Sequence, residues 1–223
     1  MANTGGTKLI VLAAGFATRL YPLTLTRPKP LLHVAHPDRE EGKPMIEHVL
    51  DSVACVRGVD RIYIVTNAKF ARMFEEWSGA YCARQLHLDV TLVNDGVVEE
   101  ANRLGAIGDL GLVLRLEQID DDIIVVAGDN LFSEPLDGFG EFTRRQNAPV
   151  LGVYDIGDLE QVKKYNALTL EADGRIAFFE EKPVDPKSTL TGIALYFYPR
   201  RILPLIHQYL AEGRNPDQPG RLV

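Results

Sequence analysis

Three short apolar runs constrain this chain more than anything else in it. KLIVLAAG (Lys8–Gly15), RIYIVTN (Arg61–Asn67) and DIIVVAGDN (Asp122–Asn130) are nearly unbroken stretches of aliphatic residues. A half-exposed strand alternates apolar with polar residues, whereas a strand covered on both faces does not. The segments between them carry helical spacing. In KPMIEHVLDSVACV (Lys43–Val56), Met45, Ile46, Val49, Leu50 and Val53 share one helical face, and Pro44 suits a first helical turn. AKFARMFEEWSGAY (Ala68–Tyr81) and GAIGDLGLVLRLEQI (Gly105–Ile119) read as two further helices. Between these two, LDVTLVND (Leu88–Asp95) reads as a strand stopped by an Asn-Asp-Gly turn. This alternation predicts an α/β fold with a mostly parallel central sheet and helices on both faces.

Beyond Asn130 the pattern is mixed. Strands are expected at Val150–Asp155, Ala167–Leu170, Arg175–Glu180 and Ile193–Tyr198, with Asp173-Gly174 as a hairpin turn and a last helix over Pro199–Ala211. These are expected to form a substrate lobe on the same sheet. With 223 residues, the chain is expected to be a single domain, residues 1–223.

The connection after the first strand is the anomaly. From Gly15 to Pro44 it runs about 30 residues, far past the length at which loops in compact domains are ordinary connectors. Leu20, Tyr21, Leu23, Leu25, Leu31 and Leu32 favour burial, so the segment is expected to fold over something. Ligands of open parallel sheets bind beyond the carboxyl ends of the strands, where a Gly-containing turn exposes N–H groups to phosphate. Arg19, Arg27 and Lys29 either charge the same anion or are solvated loop cations. Asp129 ends an apolar strand at that same edge. It is either a Mg²⁺ ligand that works with substrate phosphates or a turn-capping residue. In FFEEKP (Phe178–Pro183), strand alternation sends Glu181 and Lys182 to opposite faces unless the backbone bends near Pro183.

Other features exclude more than they propose. The net charge of −7 argues against a nucleic-acid binder. No apolar stretch is long enough for a membrane span, and MANTGGTK lacks a secretory h-region. Cys55 and Cys82 are expected in helices as free, partly buried thiols of a reducing, cytoplasmic compartment. His33 and His36 form an H-x-x-H pair without further ligands nearby.

LAAGFATRLYPLTLTRPKPLL (residues 12–32) resembles the signature of the sugar-1-phosphate nucleotidyltransferases, L-A-[AG]-G-x-G-T-R-L-x-P-L-T-x-x-x-P-K-P-L. GKPMIEHVL, RLGAIGDL, AGDN, EEKP and TGIALYFY follow in that family's order, so the resemblance spans Lys8 to Val223. It implies a Rossmann-like α/β/α sandwich that joins an NTP and a sugar 1-phosphate into an NDP-sugar and releases pyrophosphate. Residues up to about 130 would form the nucleotide half and residues from about 131 the sugar-phosphate half. Arg19 and Lys29 would be catalytic. Leu12, Ala13, Ala14, Gly15, Glu100 and Gly105 would line the nucleotide, and Asp129 would hold Mg²⁺. Asn166, Glu181, Lys182 and Gly192 would hold the sugar phosphate. Glu100 either accepts from the amino group of cytosine or guanine or is an exposed loop glutamate. No nucleic acid or membrane partner is implied, and assembly into a homo-oligomer is left open.

Three positions depart from the family pattern. Ala17 and Asn166 stand where glycine is usual, and the second metal-binding Asp of a W-x-D-[IV]-G motif is absent. PDQPGRLV resembles the segment shortly before that motif, which leads to the expectation of a truncated chain that binds nucleotide and turns over slowly. A phosphocholine-type cytidylyltransferase and a catalytically weak regulatory module are the alternatives. A dinucleotide oxidoreductase is disfavoured, because AAGFAT lacks G-x-G-x-x-G and opens no helix.

Overall fold

The computed structural model describes residues 6–36, 39–84, 89–217 and 222. Met1–Gly5, most of the tail after Asp217, and Leu88 at the start of the expected third strand lie outside the described residues. In chain order the elements are β1 (Thr7–Leu12), β2 (His33–His36), β3 (Arg39–Pro44), α1 (Met45–Val53), β4 (Val59–Thr66) and α2 (Ala71–Arg84). Next come β5 (Val90–Asn94), α3 (Ala106–Leu116), β6 (Asp122–Ala127), α4 (Asp137–Gln146) and β7 (Val150–Asp155). The remainder is α5 (Leu159–Val162), β8 (Asn166–Leu170), β9 (Ile176–Glu181), β10 (Leu190–Tyr198) and α6 (Leu203–Ala211).

Six strands form the central sheet in the order β5-β4-β1-β6-β10-β7. The first four pair in parallel. β10 runs antiparallel to both β6 and β7. The apolar runs are buried on both faces because alternate side chains enter two separate cores. Leu9 and Val11 join Ile46, Val49 and Leu50 of α1 and Phe74 of α2 on one side. Ile10 joins Ile107, Leu110 and Val113 of α3 and Ile206 of α6 on the other. This three-layer arrangement is the expected α/β/α sandwich.

Several local expectations are corrected. The long connection is not irregular throughout: β2 and β3 form an antiparallel hairpin within it. Pro44 ends β3 and caps α1 rather than sitting in its first turn. Leu31 is buried, but Leu20, Tyr21, Leu23 and Leu25 are exposed, so those four side chains do not join the core. β8 and β9 form a ribbon of their own, and only β7 and β10 extend the main sheet. The hairpin turn at Asp173-Gly174 is present, with Gly174 at φ 85°. Cys55 is exposed on the turn after α1 rather than partly buried in a helix, while Cys82 is half-buried in α2, and both thiols are free. His33 Nδ1 lies 3.1 Å from the Glu41 carbonyl oxygen across the hairpin, and the His36 side chain lies outside the described residues.

Candidate active site

The carboxyl ends of β1, β4 and β6 define one edge of the sheet, and the segments that leave the three strands are tied together there. Leaving β1, the Ala13 N–H donates to the Val65 carbonyl of β4 (2.9 Å), and the Gly128 N–H donates to the Leu12 carbonyl (2.9 Å). Asn67, fully buried at the end of β4, donates Nδ2–H to the Ala14 carbonyl (2.8 Å) and accepts from the Phe70 N–H (3.1 Å). Leu12–Ala14 are therefore pinned on both sides before the chain leaves the sheet. Gly15 is exposed, with nothing within 4 Å of where a Cβ would stand, so its backbone faces open space.

Ala17 answers the question raised by its missing glycine. It adopts φ 49°, ψ 42°, the left-handed region. An L-residue there costs roughly 1–2 kcal/mol. Thr24, which is fully buried, holds the turn by donating its hydroxyl to the Ala17 carbonyl at 2.8 Å. Two residues on, Arg19 sits exposed on a single 3₁₀ turn and makes no ion pair among the described residues. Arg27 points elsewhere: it lines a small hollow against Met73 and Trp77 of α2.

Lys29 is fixed more firmly. It opens a 3₁₀ turn between Pro28 and Pro30, both buried. Its Nζ donates to Oδ2 of Asp129, 100 positions later in the chain, at 2.7 Å. Both side chains are about one-third exposed. An ion pair that exposed adds about 0–1 kcal/mol at most, so its consequence is placement rather than stability. Asp129 is itself held by its neighbours. A Cβ on Gly128 would stand only 3.2–3.4 Å from Val11 and Ala13, and Asn130 donates Nδ2–H to the Ala194 carbonyl of β10 (3.1 Å).

No group of three or more His, Cys, Asp or Glu able to hold a metal ion occurs among the described residues. A Mg²⁺ bound by one carboxylate, with the rest of its octahedron from phosphate and water, asks for only one such residue. Asp129 fits that requirement. Its Oδ2 faces Lys29, and no hydrogen bond to its Oδ1 occurs among the described residues.

Next to this edge lies a hollow of about 570 Å³, with Asn130, Asn166, Glu181, Lys182, Thr191 and Gly192 in its wall. Glu181 and Lys182 share it because the backbone bends just before Pro183, the case in which strand alternation does not send them to opposite faces. Lys182 adopts φ 47°, and its N–H donates to the Tyr165 carbonyl at 2.7 Å. Burial, and behind it the charge of Glu181, push the Tyr196 hydroxyl up to about 12. Asn166, which stands where glycine is usual, is the first residue of β8 and not left-handed, so its position does not call for glycine's conformational freedom. Instead its side chain ties β8 to β10. Oδ1 accepts from the Gly192 N–H (2.6 Å) and the Thr191 hydroxyl (3.2 Å), and Nδ2–H donates to the Gly192 carbonyl (3.1 Å).

Glu100 and Gly105 make their contacts with Arg103 and the Pro216–Asp217 segment. Glu100 accepts from Arg103 at 3.2 Å, and Arg103 also donates to Asp217 at 2.8 Å. Gly105, φ 80°, precedes α3. A Cβ there would stand 2.7 Å from Pro216, whose carbonyl accepts from the Ile107 N–H. A second hollow of about 570 Å³, between α3 and α6, holds none of the candidate residues. Thr24, Asn67, Asn130 and Thr191 were missed in the sequence. Asn67 carried the same signal as Asp129, a polar residue directly after an unbroken apolar strand.

In α/β sandwiches with a mostly parallel sheet, ligands bind beyond the carboxyl ends of the strands, and the Lys29–Asp129 pair stands at that edge. The chain belongs to the nucleotidyl transferase family, whose profile matches residues 8–220. It is 25% identical over 199 residues to the bifunctional protein GlmU of Methanocaldococcus jannaschii, covering 89% of this chain and 41% of that one. It is 29% identical over 202 residues to a glucose-1-phosphate thymidylyltransferase of Mycobacterium tuberculosis, covering 88% and 62% respectively. The chain spans about half the length of the first curated relatives it matches. A crystal structure of UDP-glucose pyrophosphorylase complexed with UDP-glucose shares the fold. Its TM-score is 0.72 at 21% identity, over 91% of this chain and 80% of that one. No helix among the described residues is long and apolar enough to cross a membrane.

Proposed function

We propose that this chain is a sugar-1-phosphate nucleotidyltransferase domain that condenses an NTP with a sugar 1-phosphate, giving an NDP-sugar and pyrophosphate. One observation carries the reading. Asn130, adjacent to the Lys29-paired Asp129, lines the same hollow as Glu181 and Lys182. A polyphosphate at Lys29 and a sugar phosphate at Lys182 would then meet over Asp129. In this reading the residues up to about 130 hold the nucleotide and those from about 131 the sugar phosphate.

The sugar phosphate is already an anion near neutral pH, so its oxygen needs no general base. That oxygen forms a bond to the α-phosphorus, the α–β phosphoanhydride bond breaks, and pyrophosphate carries away the electron pair. The difficulty is that two polyanions must approach, so catalysis rests on placement and charge. Lys29 and Arg19 neutralise the triphosphate as the leaving group gains charge. The N–H groups around Leu12–Gly15 hold the nucleotide. Glu181 accepts from sugar hydroxyls, Lys182 pairs with the sugar phosphate, and Asn166 holds Gly192 in the pocket wall. Asp129 would hold Mg²⁺, which supplies further charge neutralisation of the phosphates. At the base end, Glu100 would accept from an amino group beside Gly105. Its exposed pair with Arg103 costs about 1 kcal/mol or less to open. We place the protein in the cytoplasm, a reading supported by its two free thiols.

Pyrophosphate release over a panel of NTPs and sugar 1-phosphates tests this. Release is expected only with Mg²⁺ and both substrates present. Nucleotide binding without release from any pair would contradict the reading and favour a regulatory module. Release with phosphocholine and CTP alone would favour the cytidylyltransferase.

A further inference from the structure

The hollow assigned above to the sugar phosphate has a neighbour that the reaction leaves unused. A smaller hollow of about 320 Å³ shares Asn130, Tyr154 and Ile193 with it and continues over Leu131, Phe132 and Leu136. Its floor is preformed. Phe132, Leu136 and Ile193 pack against the core beneath α1, and the Leu136 N–H donates to the Ser52 carbonyl at 3.0 Å. Its rim is not covered: Leu131 and Tyr154 are 52% and 62% exposed.

Charge is divided between the two hollows. Lys164, Lys182 and Glu181 lie in the first, a net positive charge, whereas the second has no cation and only Glu134 as a charged group. An anion is therefore drawn to the first hollow and disfavoured in the second. A plain hexose 1-phosphate presents hydroxyls all round its ring and gains nothing from an apolar recess. An uncharged hydrocarbon group on that ring would bury its surface there while the phosphate stays with Lys182.

We propose that this recess is an acyl subsite, and that the substrate is a sugar 1-phosphate whose ring carries an acyl chain longer than acetyl. The inference rests on the proposed nucleotidyltransferase function, because it takes the first hollow as the sugar site. Each methylene that enters the recess should raise kcat/KM by roughly three- to fourfold, as expected for burial of one CH₂.

The test measures pyrophosphate release from glucose 1-phosphate and from two series, 2-N-acyl and 6-O-acyl hexose 1-phosphates with acetyl, butanoyl and hexanoyl chains. In at least one series kcat/KM should rise about 9- to 16-fold from acetyl to butanoyl, two methylenes, chiefly through KM. Ser133→Trp, at an exposed position that lines only the recess, should abolish that gain and leave glucose 1-phosphate turnover unchanged. Turnover of glucose 1-phosphate with flat or falling kcat/KM along both series would overturn the acyl subsite alone. A gain that survives Ser133→Trp would overturn its location. No release from any sugar phosphate would overturn the parent reading and the subsite with it.

Discussion

At the scale of single residues, the site is organised by side chains that hold backbone. Asn166 is the clearest case. Two of its three hydrogen bonds occupy the N–H and C=O of Gly192, so neither group is left to face a sugar with its full capacity. Its place is in the wall of the pocket rather than on the reacting phosphate. Asn166→Gly removes the tie and opens the wall, and should raise KM for the sugar 1-phosphate about tenfold while kcat changes less than threefold. Steady-state kinetics separate the two constants. A fall in kcat at constant KM would assign Asn166 to the chemistry instead. This role could not be read from the sequence, because it depends on β8 and β10 lying side by side. Lys29 and Asp129 were legible for the opposite reason: each follows a recognisable local signal, and the parallel sheet brings both signals to one edge. The left-handed backbone at Ala17 and Lys182 was not legible, since neither residue type favours it; the sequence showed only a missing glycine at the first and the chance of a bend near Pro183 at the second.

At the scale of elements, α3 carries an inconsistency with a measurable consequence. Asp109 lies in its first turn, where a carboxylate suits the helix dipole. It is buried, its Oδ1 has no hydrogen-bond partner, and Asp95 and Asp217 face it. Burial first, and those two carboxylates second, push its carboxyl up to about 7. Between its ordinary pKa near 4 and about 7, the folded chain holds a proton that the unfolded chain has released, so stability falls as pH rises through that window. A shift of that size corresponds to up to about 4 kcal/mol. Asp109→Ala should raise Tm by several degrees at pH 8 and leave it nearly unchanged at pH 4. Thermal melts across pH 4–8 check this, and a constant difference between variant and wild type would contradict it.

The elements also show which patterns a sequence exposes. β1, β4 and β6 announce themselves because burial on both faces leaves an unbroken apolar run. The β2–β3 hairpin does not, because REEGKP has no alternation: Glu40 and Glu41 are exposed, and Gly42, Lys43 and Pro44 are buried in a row. DGFGEFTRRQ hides α4 behind two glycines, although Phe139 packs on the core. The exposed leucines of the signature segment misled for a different reason. Apolar composition suggested burial, yet the segment is held by Thr24, Pro28, Pro30 and Leu31, which leaves Leu23 66% exposed.

At the scale of the whole molecule, the proposed function asks an acidic chain of net charge −7 to bind two anionic substrates. The fold meets that demand locally. Lys29 sits on the loop after β1 beside Asp129, and Lys182, after β9, lies with Lys164 and Glu181 in the hollow next to that edge. The central claim is that this edge is a transfer site and not merely a phosphate-binding surface. The most direct measurement is single-turnover pyrophosphate release by wild type and Lys29→Ala at saturating NTP, sugar 1-phosphate and Mg²⁺, with nucleotide affinity measured alongside. The account predicts a rate loss of about 10²-fold or more at Lys29→Ala, with nucleotide affinity changed by less than tenfold. A variant that releases pyrophosphate at the wild-type rate would contradict it.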